Sequence, residues 1–154
     1  MSFSMDAFLI RHAQAGHRNG DSHDLYRPLT DDGHARAAEL ADLLASPAIG
    51  RVLSSPATRC AQTVAPLATA CRLEVEEHPD LFEGSRVDHV LALLESFIDE
   101  SLVVCSHGDV IPDVVDALAK AGVEITGRGC EKGSVWKLTH DGTRWTSASR
   151  YPAT

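Results

Sequence analysis

Apolar and polar positions along this chain fall into short blocks whose period keeps changing. Residues 6–11 contain Ala7-Phe8-Leu9-Ile10, an uninterrupted apolar run that predicts a buried strand. Residues 16–29 are polar and carry Gly16, Gly20 and Pro28, the composition of a long loop. Thr30 then has the chemistry of an N-cap, and Ala37, Leu40, Ala41, Leu43 and Leu44 recur at helical spacing to about residue 45. Pro47 and Gly50 stop that helix, and Val52-Leu53 predicts a second short strand closing at Ser54-Ser55-Pro56. The pattern continues with a helix over 57–70, a third strand over 73–77, a loop over 78–85 and a helix over 86–97. Residues 102–105 are the most strand-like run of all; they end in Ser106-His107-Gly108-Asp109, and a helix follows to about residue 121. Residues 134–138 and 144–149 predict a hairpin around Asp141-Gly142, a strong turn signal.

Strands that alternate with helices predict a three-layer α/β/α fold. Its central sheet is mainly parallel and covered on both faces, and the terminal hairpin supplies an antiparallel edge strand. No repeat, low-complexity segment or linker divides the chain, and its 154 residues suit a single domain over 1–154. A formal net charge of −8 argues against a nucleic-acid partner. No apolar stretch approaches the ~18 residues that a membrane span needs. The N-terminus lacks the basic start and apolar core of a signal peptide, so a cytoplasmic location is expected. Cys60, Cys71, Cys105 and Cys130 form no Cys-x-x-Cys pair and read as reduced, mostly buried thiols. The eight histidines show no metal-ligand spacing, so neither a metal nor another cofactor is expected.

The chemistry gathers at strand ends. The first strand ends in Arg11-His12. The second ends in Ser54-Ser55-Pro56, with Arg59 one turn into the next helix, and the fourth ends in Ser106-His107-Gly108. In a parallel sheet these ends share one edge, where open α/β sheets bind ligands. Arginine forks two hydrogen bonds onto a phosphate, histidine serves as a covalent nucleophile, and helix N-termini add N–H donors. Each residue also has a plainer reading: Arg59 as a solvated helix arginine, His107 as a hydrogen-bonded structural histidine, Gly108 as the pivot of a tight turn.

Taken together, Leu9-Ile10-Arg11-His12-Ala13, Arg27-Pro28-Leu29-Thr30 with Gly33 and Ala37, Ser54-Ser55-Pro56 with Arg59 and Gln62-Thr63, and Ser106-His107-Gly108 resemble the motifs of the histidine phosphatase superfamily, the phosphoglycerate mutase-like family. Order and spacing fit from residue 7 to about 120. The resemblance implies the phosphoglycerate mutase-like fold and a metal-independent phosphatase in which His12 attacks phosphorus and becomes phosphohistidine. Arg11, Arg59 and His107 would hold the phosphoryl oxygens. Glu83, beside Leu81, Phe82 and Gly84, resembles the family's usual acid position, where burial near Phe82 would favour the protonated form. Asp109, two residues after His107, competes for that role or belongs simply to the start of the next helix. Arg18 in the long loop, Arg27 and Gly108 are candidates for substrate contact. His17 and Asn19 share that loop, and Arg27 could instead anchor it through a carboxylate.

The chain is short, and only residues 13–29 and 78–86 could cap the site. It therefore resembles the small SixA-like branch. Val104 through Pro112 also resemble the phosphatase part of Nudix–phosphatase fusions. The implied substrates are a phosphohistidine protein, a nucleotide or another phosphorylated small molecule. The alternatives are a mutase-type phosphotransferase, which needs a closed site, and a non-catalytic phosphate-binding module, which predicts a damaged pocket.

Overall fold

The computed structural model describes residues 4–16 and 24–152. Its strands are β1 (Met5–Arg11), β2 (Ile49–Ser54), β3 (Val75–Glu77), β4 (Ser101–Ser106), β5 (Glu124–Thr126), β6 (Val135–His140) and β7 (Trp145–Tyr151). Its helices are α1 (Asp31–Leu44), α2 (Thr58–Ala70), α3 (Val87–Glu95) and α4 (Val110–Lys120). The strands form one sheet in the order β3-β2-β4-β1-β6-β7-β5.

Strand side chains alternate between the two faces, and this period sorts the core into two halves. Leu9, Leu53 and Val104 pack with Val90 and Leu94 of α3 and with Ile111 and Val114 of α4. Their sequence neighbours Ile10, Val52, Val103 and Cys105 pack on the other face, with Leu40 and Leu44 of α1 and Val64 and Leu67 of α2. The three-layer α/β/α architecture follows.

Strands β3, β2, β4 and β1 run parallel, with Arg11 paired to Ser106, and Ser54 to both Cys105 and Glu77. Their carboxyl ends therefore lie side by side on one edge. The expected hairpin forms, as β6 antiparallel to β7. It does not lie at the sheet edge, however, because β6 pairs with β1 and the short β5 pairs parallel to β7 beyond it. With only three residues, one of them partly buried, β5 is too short to show a period in the sequence. The loop expected over 16–29 contains a 3₁₀ turn at Asp24–Tyr26.

Among the described residues, no helix is long and apolar enough to cross a membrane. All four cysteines are free; Cys60 and Cys105 are buried, while Cys71 and Cys130 are half-buried.

Candidate active site

A cleft of about 610 Å³ opens over the carboxyl ends of β1, β2 and β4. Arg11, His12, Arg27, Arg59, Glu83, His107, Gly108 and Asp109 all line it. His17, Arg18 and Asn19 lie outside the described residues.

His12 follows β1 directly, and its backbone N–H donates to Ser106 O at 3.0 Å. Its ring is buried, and Nδ1–H donates to the Ala13 carbonyl at 2.8 Å. That bond fixes the tautomer and leaves the lone pair on Nε2. Burial lowers the His12 pKa to about 4, with the positive surroundings of Arg59, His107 and Arg11 adding to the effect; the Ala13 carbonyl opposes it. The imidazole is thus neutral at physiological pH, as a nucleophile must be. Thr63 holds the turn after it: its hydroxyl donates to Arg59 O at 2.6 Å and accepts Ala13 N–H at 3.0 Å. Gln62 accepts Leu29 N–H at 2.9 Å. So Gln62 and Thr63 join α2 to the segments on either side of the long loop.

Arg59 is 1% exposed, which removes the solvated-arginine reading. Its Nη1 donates to Asp24 O at 3.0 Å, and its Nη2 lies 3.6 Å from both Asp24 Oδ2 and Glu83 Oε1. The same Nη2 lies 3.4 Å from His107 Nδ1. His107 Nε2 lies 2.8 Å from Ser55 Oγ. The rings of His12 and His107 meet edge to face at 5.5 Å. Phe82 packs against His107 rather than enclosing Glu83: their ring centroids are also 5.5 Å apart. The Glu83 side chain remains 33% exposed beside Arg59.

Arg11 donates from Nη1 to Cys130 O at 2.8 Å, and its buried Nε has no partner among the described residues. The Arg59 Nε is in the same position. Buried N–H groups without partners are costly; both guanidinium groups line the cleft where an oxyanion would lie. Gly108 explains how Arg11 fits. A Cβ at Gly108 would lie 2.6 Å from Arg11 Cζ, so the missing side chain makes room for the guanidinium. Gly108 is not among the residues with positive φ, so a close approach, and not a special turn, requires glycine here.

Asp109 Oδ2 accepts Gly84 N–H at 2.7 Å and so holds the loop that carries Glu83. Ser106 Oγ pins the same loop by donating to Leu81 O at 2.7 Å. Arg27 bonds Asp24 Oδ1 through Nε at 3.0 Å and Gly16 O through Nη1 at 2.6 Å, so it anchors the loop as well as lining the cleft. At the base of α1, a Cβ on Gly33 would meet Gln14 O at 2.1 Å; glycine lets the helix start against this strand end. The Thr30 hydroxyl accepts Gly33 N–H at 3.1 Å, the expected N-cap.

Sequence reasoning missed one wall of the cleft, the segment 127–133, which contributes Lys132. It acts mainly through its backbone: Cys130 O receives Arg11, and Gly133 N–H donates to Arg11 O at 3.0 Å and His12 O at 3.1 Å. The glycines at 127, 129 and 133, all with positive φ, are the only signal of it in the chain. The cleft thus presents a neutral imidazole, cationic and N–H donors and a carboxyl group, the equipment for transferring a phosphoryl group by positioning and charge stabilisation.

Residues 7–86 match the model of the histidine phosphatase superfamily, branch 1. A 65-residue stretch is 45% identical to "Uncharacterized protein Rv0525" of Mycobacterium tuberculosis; it covers 38% of this chain and 32% of that protein. This chain thus spans about a third of the length of that curated relative. The protein histidine phosphatase SixA complexed with tungstate is similar over 95% of this chain and 94% of its own, at 25% identity and a TM-score of 0.76. The alpha-ribazole phosphatase from Shigella flexneri shares the fold, with a TM-score of 0.71 over 93% and 94% of the two chains at 17% identity. With more than half of its length matching the family model, the chain belongs to the histidine phosphatase superfamily.

Proposed function

We propose that this protein is a metal-independent phosphatase that hydrolyses phosphomonoesters or phosphohistidine through a phosphohistidine at His12. The observation that carries this reading is the His12 ring. It is neutral, fixed by Ala13 O with its lone pair on Nε2, and surrounded by Arg11, Arg59 and His107.

In the first step His12 Nε2 attacks phosphorus and the bond from phosphorus to the leaving atom breaks. Glu83, as the carboxylic acid, gives its proton to that leaving atom. Ala13 O stabilises the ring as it becomes cationic, because it already receives Nδ1–H. Arg11, Arg59 and His107 hold the equatorial oxygens. In the second step water attacks phosphorus, its proton passes to the Glu83 carboxylate, and the N–P bond breaks. Phosphate, neutral His12 and protonated Glu83 result. Asp109 serves as a positioning residue for the Glu83 loop, and Gly108 as the space that Arg11 occupies. The guanidinium groups supply the positive charge, so no metal is required.

The likeness to SixA supports a phosphohistidine protein as substrate; the likeness in fold to alpha-ribazole phosphatase supports a phosphorylated small molecule or nucleotide. Free thiols at all four cysteines fit a cytoplasmic setting, and we read residues 1–154 as one phosphatase domain. The test is a panel of phosphohistidine protein, nucleotides, sugar phosphates and para-nitrophenyl phosphate, compared by kcat/KM. Turnover by the wild type, abolished in His12→Ala, is expected. No turnover of any member, or full activity of His12→Ala, would overturn the reading.

A further inference from the structure

The wall at 127–133 is held far more tightly than its glycine content suggests. Arg150 Nη1 donates to Arg128 O at 2.7 Å, and Arg150 also forms an ion pair with Glu131. Trp136 Nε1 donates to Gly129 O at 2.9 Å, Arg36 Nε to Gly133 O at 3.0 Å, and Arg11 Nη1 to Cys130 O at 2.8 Å. Four side chains from four elements thus grip this backbone. The residue they present to the cleft is Lys132, exposed and on the same lining as His12 and Arg11.

Lys132 differs from other cations of the cleft. Arg27 is bonded to Asp24 and Gly16 O, and Arg59 lies against Asp24 and Glu83. The Lys132 ammonium group makes no hydrogen bond or ion pair among the described residues. The cleft, at about 610 Å³, also far exceeds the space one phosphoryl group fills. A preorganised wall that holds an uncommitted cation beside such space is built to meet an anion beyond the one being transferred.

We propose that Lys132 is a specificity residue that binds a second anionic group, a phosphate or carboxylate, on a small phosphoester substrate. This rests on the phosphatase reading above and narrows its substrate class. The lysine engages the second anion as a charge-assisted hydrogen bond and does not touch the transferred phosphoryl group.

The probes are alkyl monophosphates of increasing chain length, each with a terminal methyl, carboxylate or phosphate, together with para-nitrophenyl phosphate. The wild type should prefer the two-anion esters at one chain length. At that length Lys132→Ala should lower kcat/KM on them by roughly tenfold or more, mainly through KM, the loss expected for one charged hydrogen bond. Lys132→Arg should restore most of it, and para-nitrophenyl phosphate should change less than about twofold. Equal losses on both kinds of probe, or no loss on either, would overturn the assignment. So would preference of the wild type for a phosphohistidine protein with the Lys132→Ala variant unaffected. Turnover of any of these probes by the wild type sustains the phosphatase reading whatever Lys132→Ala does; no turnover of any of them, phosphohistidine protein included, would sink both.

Discussion

Replacing Gly108 by alanine separates the fold from the chemistry. The new Cβ would lie 2.6 Å from Arg11 Cζ and 2.7 Å from Arg11 Nε, where ordinary contact begins near 3.4 Å. The guanidinium must therefore withdraw by about 0.8 Å or more. It can do so, since it is the far end of a flexible side chain, but it then leaves Cys130 O and its place in the cleft lining. A displacement of about 1 Å in a group that stabilises charge costs up to roughly 100-fold. We expect kcat/KM on para-nitrophenyl phosphate to fall roughly 10- to 100-fold, or about 1.4 to 2.7 kcal/mol of transition-state stabilisation. Gly108 has no positive φ, so alanine brings no backbone strain, and Tm should stay within about 4 °C of wild type. In a double-mutant cycle, Gly108→Ala should add almost nothing to Arg11→Ala, because both remove the same clamp. Near-wild-type kcat/KM for Gly108→Ala would refute this account of Arg11, and so would additive losses in the cycle.

Further outcomes concern the acid, the nucleophile and the charge. Glu83→Gln should slow esters with poor leaving groups far more than para-nitrophenyl phosphate. Asp109→Ala should show a weaker form of the same pattern, with recovery in Asp109→Asn, which keeps an oxygen to accept Gly84 N–H; equal losses across leaving groups would remove Glu83 from the acid role. Because the His12 pKa is depressed to about 4 from 6.5, the unfolded chain binds its proton first as pH falls. Stability should therefore be full above about pH 6.5 and decline by roughly 3 kcal/mol as pH drops to about 4. Denaturant melts should show this decline, and His12→Ala should flatten it by about that amount; a pH dependence identical in the two proteins would contradict the burial argument. EDTA should leave kcat/KM unchanged, and strong inhibition that zinc or magnesium reverses would contradict the metal-independent reading.

What could be read in advance was what side chains announce. Arg11, His12, Arg59 and His107 carry their chemistry in their side chains, and a parallel sheet aligns their strand ends whatever the loops do. Gly108 was visible as a motif residue or the pivot of a tight turn, but its structural reason was not: its lack of a side chain matters to Arg11, which comes 97 residues earlier and meets it only through the pairing of β1 with β4. The tie between Asp109 and the loop that carries Glu83 is a single hydrogen bond across 25 residues, which no spacing rule contains. The wall at 127–133 stayed hidden because backbone carbonyl and N–H groups do most of its work, and every residue type but proline supplies both. The placement of β5 beyond the hairpin escaped for want of length, since three residues leave no period to detect.

The central claim is that phosphorus becomes bonded to His12. Rapid quenching in alkali during turnover of a slow phosphoester, followed by phosphorus NMR and mapping by mass spectrometry, measures this directly, because phosphohistidine survives alkali. The account predicts one phosphoryl group on His12, attached through Nε2, and none in His12→Ala. Phosphate on His107 or another residue, or rapid turnover with no phosphoenzyme formed and with His12→Ala fully active, would contradict it.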